Sequence, residues 1–331
     1  MIKANMKCCV IICDGMADEP SESAGGLTPL EAACTPAMDR LAAISRCGLV
    51  NTIPDGFYAG SEVGILSILG YPSSEIPGGR GFLEAVGSDI YVSEHDTVAR
   101  YNQLPEEESI SSLTALYPEL RFHPVSSHAG IVIGAGCDIP VGEEHNTRFW
   151  SHSCPHSLSE FPPMPTDGCR REGVIIGAVP LLKGIAKLAG MRFISPPHAT
   201  GNLDTDYSEK SSAAIEALKK YDIVILHIEA CDTASHLRDF NLKKDAIEKI
   251  DRHVVHPILE FAKDYVEPTA IALLPDHRAL WETGKHNDSP VPVIIYDPCL
   301  SPDNVTAYSE KEASKGTIRN LNPLYRLYGK V

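Results

Sequence analysis

Short apolar runs alternate with longer segments of mixed polarity along most of the chain. The apolar runs lie at residues 8–12, 174–178, 191–194, 222–230, 269–277 and 291–297. Runs of this length, without regular polar positions, are typical of strands that are buried on both faces of a parallel sheet. Segments with apolar residues at helical spacing follow several of these runs, at 181–189, 211–220 and 242–264. The alternation predicts an α/β fold with a mostly parallel sheet.

Two further helices are predicted in the first seventy residues. Thr35 and Pro36 precede AMDRLAAISR, and they suit the N-cap and first position of a helix. Gly60 and Ser61 open SEVGILSILG, whose apolar positions suit a half-buried helix. The glycine-rich PGGRG at 77–81 then interrupts the pattern.

The pattern changes between about residues 92 and 170, where long periodic runs are scarce. AGIVIGA at 129–135 predicts a strand, but most of this stretch is polar loop sequence with several prolines. We therefore expect a core formed by residues 1–90 and 171–331, with residues 91–170 as a smaller inserted α+β domain.

The charge balance excludes some classes of partner. The chain has 331 residues, with 44 acidic and 29 basic side chains, for a formal net charge of -15. Because a strongly acidic surface repels phosphate backbones and anionic lipids, we expect no nucleic-acid or membrane partner. An anionic substrate remains compatible with this charge, since bound cations or an arginine cluster can reverse the local field.

Ten cysteines are present, and none is arranged as C-x-x-C. Several lie within apolar runs such as CCVIIC at 8–13, where cysteine behaves as a small apolar residue. This usage is typical of a reduced protein. The first apolar run is too short for a signal peptide or membrane span, so the expected location is the cytoplasm.

Residues of types that commonly bind metals follow three of the predicted strands. Asp14 follows the first strand, Asp232 comes shortly after the run 222–230, and Asp276 and His277 end the run 269–277. The full set is Asp14, Asp232, His236, Asp276, His277 and His286. The carboxyl ends of parallel strands share one edge of a sheet, where ligands of such folds bind. Carboxylate and imidazole ligands together favour Zn²⁺ or Mn²⁺.

Each of these residues alone has a simpler interpretation. An aspartate at a strand end is often a turn or cap residue, and a single histidine is more often structural than a ligand. Asp232 and His236 are four residues apart and would share one face of a helix, but that spacing also arises by chance. The metal prediction therefore depends on the whole set and on the fold that brings it together.

Longer stretches identify a family. They are IICDGMADEP (11–20), LTPLEAACTPAMDRLA (27–42), GSEVGILSILGY (60–71), GGRGFLEAVG (78–87), LLKGIAKLAGM (181–191), HATGNLDTDY (198–207), HIEACDTASH (227–236) and PDHRALWETGKHNDSPVPV (275–293). In these stretches the chain resembles the archaeal-type cofactor-independent, or 2,3-bisphosphoglycerate-independent, phosphoglycerate mutases of the alkaline phosphatase superfamily. The resemblance implies an alkaline-phosphatase-like sheet with helices on both faces and a smaller inserted substrate-binding or lid domain.

The resemblance also implies two divalent metal ions, Mn²⁺ or Zn²⁺ with Mg²⁺ as a further candidate, and a phosphoserine intermediate. One ion would be bound by Asp14, Ser61, Asp276 and His277, and the other by Asp232, His236 and His286. Ser61 would be the nucleophile in the interconversion of 2-phosphoglycerate and 3-phosphoglycerate, a glycolytic reaction. Its simpler interpretation is a helix N-cap, and a serine at a helix N-terminus is also well placed near a bound phosphate.

A mutase also needs cationic groups for the carboxylate and phosphate of its substrate. The candidates are Arg80 in the glycine-rich loop, Arg100 in VARYN and Lys183 in LLKG. The alternative for each is an ordinary surface charge.

Two departures from the family concern the substrate. SSHAGIVI at 126–133 has no arginine where relatives carry a Tyr-Arg pair, and Arg278, Ala279 and Leu280 stand where the family has a Thr-Pro after its Asp-His pair. The inserted segment is also shorter than usual. A phosphatase or a homoserine kinase-like phosphotransferase on the same metal core, or a non-catalytic metal-binding protein, therefore stay as alternatives. The expected partner is a small phosphorylated metabolite, and the oligomeric state is left open.

Overall fold

The computed structural model describes residues 6–103, 110–125, 129–144, 147–161 and 171–329. The strands are β1 (Lys7–Cys13), β2 (Arg46–Val50), β3 (Asp96–Gln103), β4 (Leu120–Pro124), β5 (Ala129–Ala135), β6 (Gly142–Glu144), β7 (Thr147–Ser153), β8 (Gly173–Ile176), β9 (Arg192–Ile194), β10 (Ile223–Ile228), β11 (Thr269–Leu274), β12 (Arg278–Leu280), β13 (Lys285–Asn287) and β14 (Val291–Tyr296). Residues 126–128, the start of the segment compared with the family's Tyr-Arg pair, lie outside the described residues.

Seven strands form the main sheet in the order β2-β14-β11-β1-β10-β8-β9. The neighbours from β11 to β9 are parallel, whereas β14 is antiparallel to both β11 and β2. The predicted mostly parallel α/β sheet is confirmed. Every residue of β1 is buried, so both faces of its central position are covered. This agrees with its uninterrupted apolar sequence.

The helices are α1 (Pro29–Ala32), α2 (Pro36–Ala43), α3 (Ser61–Ile68), α4 (Gly81–Gly87), α5 (Ile110–Leu116), α6 (Pro180–Leu188), α7 (Tyr207–Leu218), α8 (Ala230–His236), α9 (Phe240–Ile250), α10 (His256–Asp264), α11 (Glu310–Ala313) and α12 (Asn322–Tyr328). Residues of α1, α2, α7, α9 and α10 form one buried apolar cluster with Cys9, Ile11 and Cys13 on one face of β1. Within the described ranges, no helix has the length and apolar content needed to cross a bilayer.

The helix predicted over 242–264 is divided into three parts. A π-helical turn, Asp251–Val255, separates α9 from α10, and the N–H of His256 bonds to the carbonyl of Asp251. Pro257 follows in the first turn of α10. Because proline has no N–H, it leaves a carbonyl of the preceding turn without its usual donor, and the wider turn accommodates this change.

The helix predicted after Thr35 begins where expected, with Thr35 at the N-cap position and Pro36 as its first residue, but it is capped differently and ends earlier. Thr35 makes no side-chain capping bond. Instead, the carboxylate of Asp251 accepts the N–H groups of Ala37 and Met38. The helix ends at Ala43, and Arg46, which was expected to be helical, begins the edge strand β2.

The chain divides into two compact units. The first comprises residues 1–71, 160–179 and 191–331, and the second comprises 72–159 and 180–190. The first segment of the second unit therefore starts and ends earlier than the expected insert 91–170, and a second segment adds α6. Its antiparallel sheet has the order β4-β5-β3-β7-β6. Only β5 was predicted from the sequence of this sheet.

The inclusion of α6 in the second unit follows from its close packing on α4. A Cβ atom added at Gly87 would lie 1.9 Å from the carbonyl oxygen of Pro180, and one at Gly184 would lie 1.8 Å from that of Leu83. Only glycine permits these backbones to approach so closely.

Candidate active site

Three neighbouring strands of the main sheet direct acidic residues to the same edge. β1 lies between β10 and β11, and all three are parallel. Asp14 follows β1 directly, Asp276 comes two residues after β11, and Asp232 lies in the first turn of α8 after β10. The carboxyl-end rule for parallel sheets therefore places the three carboxylates together, as the sequence predicts.

Group one consists of Asp14, Asp276 and His277, which are all buried. His277 Nε2 lies 3.3 Å from Asp14 Oδ1 and 3.7 Å from Asp276 Oδ2. Asp276 Oδ1 accepts the backbone N–H groups of Gly15 and His277. These bonds fix the carboxylate so that its other oxygen faces the group.

Group two consists of Asp232, His236 and His286. His286 Nε2 lies 2.9 Å from Asp232 Oδ1, and His236 Nε2 lies 3.2 Å from Asp232 Oδ2. The two Nε2 atoms are 3.2 Å apart. Only one of these facing nitrogens can donate a proton in that contact. A bound cation would therefore pair with the nitrogen and carboxylate atoms of group two better than hydrogen bonds alone.

Backbone carbonyls orient two of the imidazoles. His277 Nδ1 lies 3.2 Å from the carbonyl oxygen of Arg278, and His286 Nδ1 lies 3.1 Å from that of Ala59. If each Nδ1 donates to its carbonyl, each Nε2 presents a lone pair to its group, as in many metal sites. The two rings stack with their centroids 4.0 Å apart, so the groups adjoin each other.

The pKa shifts of His277 and Asp232 suit cation binding. Burial lowers the pKa of His277, which favours the neutral imidazole that a metal requires. Burial raises the pKa of Asp232, but its close contacts with His236 and His286 outweigh it and hold that pKa well below its ordinary value. Asp232 is therefore a carboxylate at neutral pH.

Ser61 is the first residue of α3, and Gly60 occupies the cap position. The expected side-chain cap is absent from α3 among the described contacts; instead, Ser61 Oγ lies 3.3 Å from Asp14 Oδ2 and 3.4 Å from His277 Nε2. The close approach of α3 to group one depends on Gly64, where a Cβ atom would lie 2.3 Å from the carbonyl oxygen of Asp276.

Both groups fit divalent cations. In each group, one ligand atom from each residue lies within 4.8 Å of the others. Asp276 Oδ2 is buried and accepts no hydrogen bond from the residues that the structure describes. An uncompensated buried carboxylate oxygen is costly, and a bound cation would remove that cost.

Three residues beside group one were not selected from the sequence as site residues. His227 lies in β10, with Nε2 3.7 Å from Asp14 Oδ2 and Nδ1 3.2 Å from Glu229 Oε1. Lys210 donates to Glu229 Oε2 at 2.6 Å. Burial opposes ionisation of Glu229, but the charge of Lys210 and contact with His227 lower the pKa of that carboxyl to about 2. Of these three residues, only Glu229 could have been selected from the sequence, because it directly follows a predicted strand.

The predicted substrate-binding residues separate into a pair and a single residue, all within the second unit. Arg80 Nε and Arg100 contact the same oxygen of Glu84 at 2.8 Å and 2.7 Å. Lys183 instead pairs with Asp89 at 2.7 Å. The structure therefore brings Arg80 and Arg100 together but places Lys183 in a different ion pair.

Arg278, where the sequence predicts a departure from the family, makes structural contacts. Its guanidinium donates to the carbonyl oxygens of Asp18 and Pro290. It links two loops beside the site.

Comparison with known proteins first gives the class. The family model described as Metalloenzyme superfamily matches residues 6–325. A 2,3-bisphosphoglycerate-independent phosphoglycerate mutase from Methanothrix thermoacetophila is 34% identical, over 97% of this chain and 99% of that protein. The one from Methanosarcina barkeri is 35% identical, over 95% of this chain and 96% of that protein. The chain belongs to the 2,3-bisphosphoglycerate-independent phosphoglycerate mutase family of this superfamily.

Solved structures agree on the fold. A protein from Pyrococcus horikoshii matches with a TM-score of 0.79 and 30% identity, covering 99% of this chain and 98% of that one. The cofactor-independent phosphoglycerate mutase of Thermoplasma acidophilum matches with a TM-score of 0.67 and 18% identity, covering 98% of both chains. At that identity the second match concerns the fold alone.

The alignment with the Methanothrix protein contains gaps in this chain. Its alignment with the Methanothrix protein extends over 392 positions, and the chain has 331 residues. At least ~60 aligned positions therefore have no counterpart in this chain, in keeping with the short insert noted in the sequence.

Proposed function

We propose that this chain interconverts 2-phosphoglycerate and 3-phosphoglycerate through a phosphoserine at Ser61. The observation that carries the proposal is the position of the Ser61 hydroxyl against Asp14 and His277, with group two adjoining. The chain's family relatives bear the mutase name, which supplies the substrate. The substrate would be the small phosphorylated partner expected from the sequence.

Two divalent cations, Mn²⁺ or Zn²⁺ with Mg²⁺ as a further candidate, would be held by the two groups. Asp14, Asp276 and His277 would hold one cation together with Ser61, and group two would hold the other. When bound, they would supply positive charge that stabilises a serine alkoxide and the phosphoryl oxygens.

The residues of the chain then perform a balanced transfer. Ser61 Oγ loses its proton and bonds to phosphorus, while the bond from phosphorus to the substrate oxygen breaks and that oxygen takes up a proton. The resulting glycerate turns within the site. Its other hydroxyl attacks the phosphoserine, and Ser61 regains a proton. Neither water nor a nucleotide is consumed.

The shorter length of the chain favours a second candidate on the same site. Without the additional positions of its relatives, the chain could hold a different alcohol or fail to exclude water. The reaction would then be another phosphoryl transfer, such as a homoserine kinase-like one, or hydrolysis. The substrate-binding roles of Arg80, Arg100 and Lys183, and the lid role of the inserted domain, stay predictions.

The deciding experiment is phosphorus NMR of 3-phosphoglycerate incubated with the Mn²⁺-loaded protein. Growth of the 2-phosphoglycerate resonance without inorganic phosphate would support the mutase. Release of inorganic phosphate would instead indicate that the protein is a phosphatase. An unchanged spectrum, with Mn²⁺ binding established separately, would overturn the assignment of this substrate.

We also propose the cytoplasm as the site of action. The cysteines that the structure describes are all free, including buried ones such as Cys8, Cys9 and Cys13. Free thiols are typical of proteins in reducing compartments.

A further inference from the structure

His227 is a buried polar group beside the site for which the proposed chemistry has no role. Its side chain is about 1% exposed, and its residue pairs with Ile12 in the sheet, two positions before Asp14. Its Nδ1 lies 3.2 Å from Glu229 Oε1, whereas Nε2 makes no hydrogen bond to any described residue. A buried ring nitrogen without such a bond is costly, so the position of His227 in the sheet centre indicates a compensating role.

The two ring nitrogens face two carboxylates. Nδ1 lies 3.2 Å from Glu229 Oε1, and Nε2 lies 3.7 Å from Asp14 Oδ2. The second distance exceeds a hydrogen bond, but contacts of this kind are often long before the ligands of a site are bound.

Lys210 holds this arrangement from the other side. Its ammonium is fully buried and has three acceptors: Glu229 Oε2 at 2.6 Å, His227 O at 3.2 Å and Thr200 O at 3.3 Å. Because all three of its donors have acceptors, the ammonium is fixed. It fixes Glu229, whose second oxygen faces the His227 ring.

The Asp14 oxygen that His227 faces is also the one that Ser61 contacts. Ser61 Oγ lies 3.3 Å from Asp14 Oδ2, whereas His277 Nε2 lies 3.3 Å from Oδ1. The orientation of this carboxylate therefore determines both its approach to the nucleophile and its approach to the neighbouring ligand. A donor at His227 Nε2 would select one orientation.

We propose that His227 is a positioning residue for Asp14. Its Nε2–H holds Asp14 Oδ2 towards Ser61, while Glu229, whose charge is offset by Lys210, packs beside Nδ1 and limits rotation of the ring. Partners of this kind orient the ligands of metal sites, and their loss commonly weakens metal binding or activity 10- to 100-fold. The inference rests on the proposed function for its effect on turnover, but its effect on metal affinity is independent of the substrate.

Three variants at His227 separate the two ring nitrogens. His227→Gln keeps a donor near the position of Nε2, His227→Asn keeps one near Nδ1, and His227→Leu keeps neither. Calorimetric titration of the chelated proteins with Mn²⁺ should show affinity lowered about 10- to 100-fold in the Leu and Asn variants at one of two sites. The Gln variant should recover most of the loss. With 3-phosphoglycerate, kcat should follow the same order while KM changes little.

Asp251→Ala is the matched control for a lost buried polar group. It removes the carboxylate that caps α2, so thermal stability should fall while Mn²⁺ affinity stays at the wild-type value. Equal Mn²⁺ affinity in the wild type and the Leu variant would overturn the proposal. Equal losses in the Gln and Asn variants would also overturn it, since a merely structural histidine would not distinguish them. Wild-type protein that binds two ions but moves no phosphate would instead refute the proposed function alone.

Discussion

The role of Ser61 is separable from helix stability, because its hydroxyl does not cap α3. Ser61→Ala should therefore lower the rate of phosphoryl transfer by several powers of ten. The free energy of unfolding should change by less than the ~1 kcal/mol that loss of a helix cap costs. The measurements are initial rates with 3-phosphoglycerate and urea unfolding. Mn²⁺ binding should weaken but survive, because Asp14, Asp276 and His277 remain.

Ser67→Ala is the control for this variant, since Ser67 is a second buried serine on α3. It should retain turnover. Mass spectrometry of wild-type protein quenched with substrate should find phosphate on the peptide that contains Ser61, and the Ser61 variant should have none there. Near-normal transfer by a folded Ser61→Ala protein would show that another group is the nucleophile.

The sequence could predict most candidate ligands because the fold determines their location: Asp14, Asp276 and His277 follow strands, and Asp232 and His236 lie on the helix directly after β10. The same reasoning could not find Lys210. Within SEKSSAAIEAL, a lysine has the pattern of an exposed helix residue, yet it is fully buried. Only the tertiary contact with Glu229 explains that position, and a single sequence carries no record of the contact.

At the scale of elements, the packing of α4 on α6 depends on the absence of side chains. Gly184→Ala should destabilise the protein by roughly 1–3 kcal/mol, because the added methyl would overlap the Leu83 carbonyl and force the helices apart. The higher helix propensity of alanine, about 1 kcal/mol, opposes this loss without cancelling it. Urea unfolding followed by circular dichroism measures the difference.

Gly78→Ala is the matched substitution in the same unit. An added Cβ atom there meets no atom within 4 Å, so the free energy of unfolding should change by less than about 0.5 kcal/mol. If both variants had the same stability, the close helix contact would not limit the fold.

The ion pair between α7 and the end of β10 should respond to acid. The pKa of Glu229 is lowered from 4.5 to about 2, so its contribution is present above pH 4.5 and is lost as the pH falls through about 2. Lys210→Met should destabilise the chelated protein by about 3–5 kcal/mol at pH 7, because it leaves a buried carboxylate alone. The difference from wild type should narrow at pH 3, where the lone carboxyl of the variant is protonated.

Lys219→Met provides the comparison, since Lys219 pairs with Glu216 at the protein surface. Solvent screening makes the contribution of an exposed pair small, so this variant should differ little from wild type at either pH. A Lys210 variant with the same pH profile as Lys219→Met would contradict a structural role for the buried pair.

The predicted elements were most reliable where burial is two-sided and strands are unbroken, as in β1 and β11. They were least reliable in the second unit. There the strands β3, β4 and β7 mix polar and apolar residues, since they belong to an antiparallel sheet whose pattern is easily taken for loop sequence. The division of helix 242–264 was also missed, because the effect of Pro257 on the preceding turn is not visible in apolar periodicity.

At the scale of the whole molecule, the net charge of -15 means that bound cations would reduce electrostatic repulsion. Three aspartates converge at one sheet edge of an already acidic chain, so their mutual repulsion opposes folding when no cation is bound. Binding to the folded state alone stabilises it, by about 2.7 kcal/mol for each ion at a hundred times its Kd. The two groups together would then contribute about 5 kcal/mol.

Removal of metal should therefore change both stability and activity. Exhaustive chelation should lower the midpoint of thermal unfolding by roughly 10 °C or more relative to protein saturated with Mn²⁺, given about 2–4 °C for each kcal/mol in a unit of this size. Turnover should vanish and return when Mn²⁺ is restored. Asp232→Asn removes the carboxylate that contacts both His236 and His286 in group two. This variant should retain about half of the metal-induced rise in the unfolding midpoint, because group one is unchanged. Chelated protein that melts and turns over like the untreated enzyme would rule out a two-cation site, since stability linked to binding cannot persist once the ions are gone.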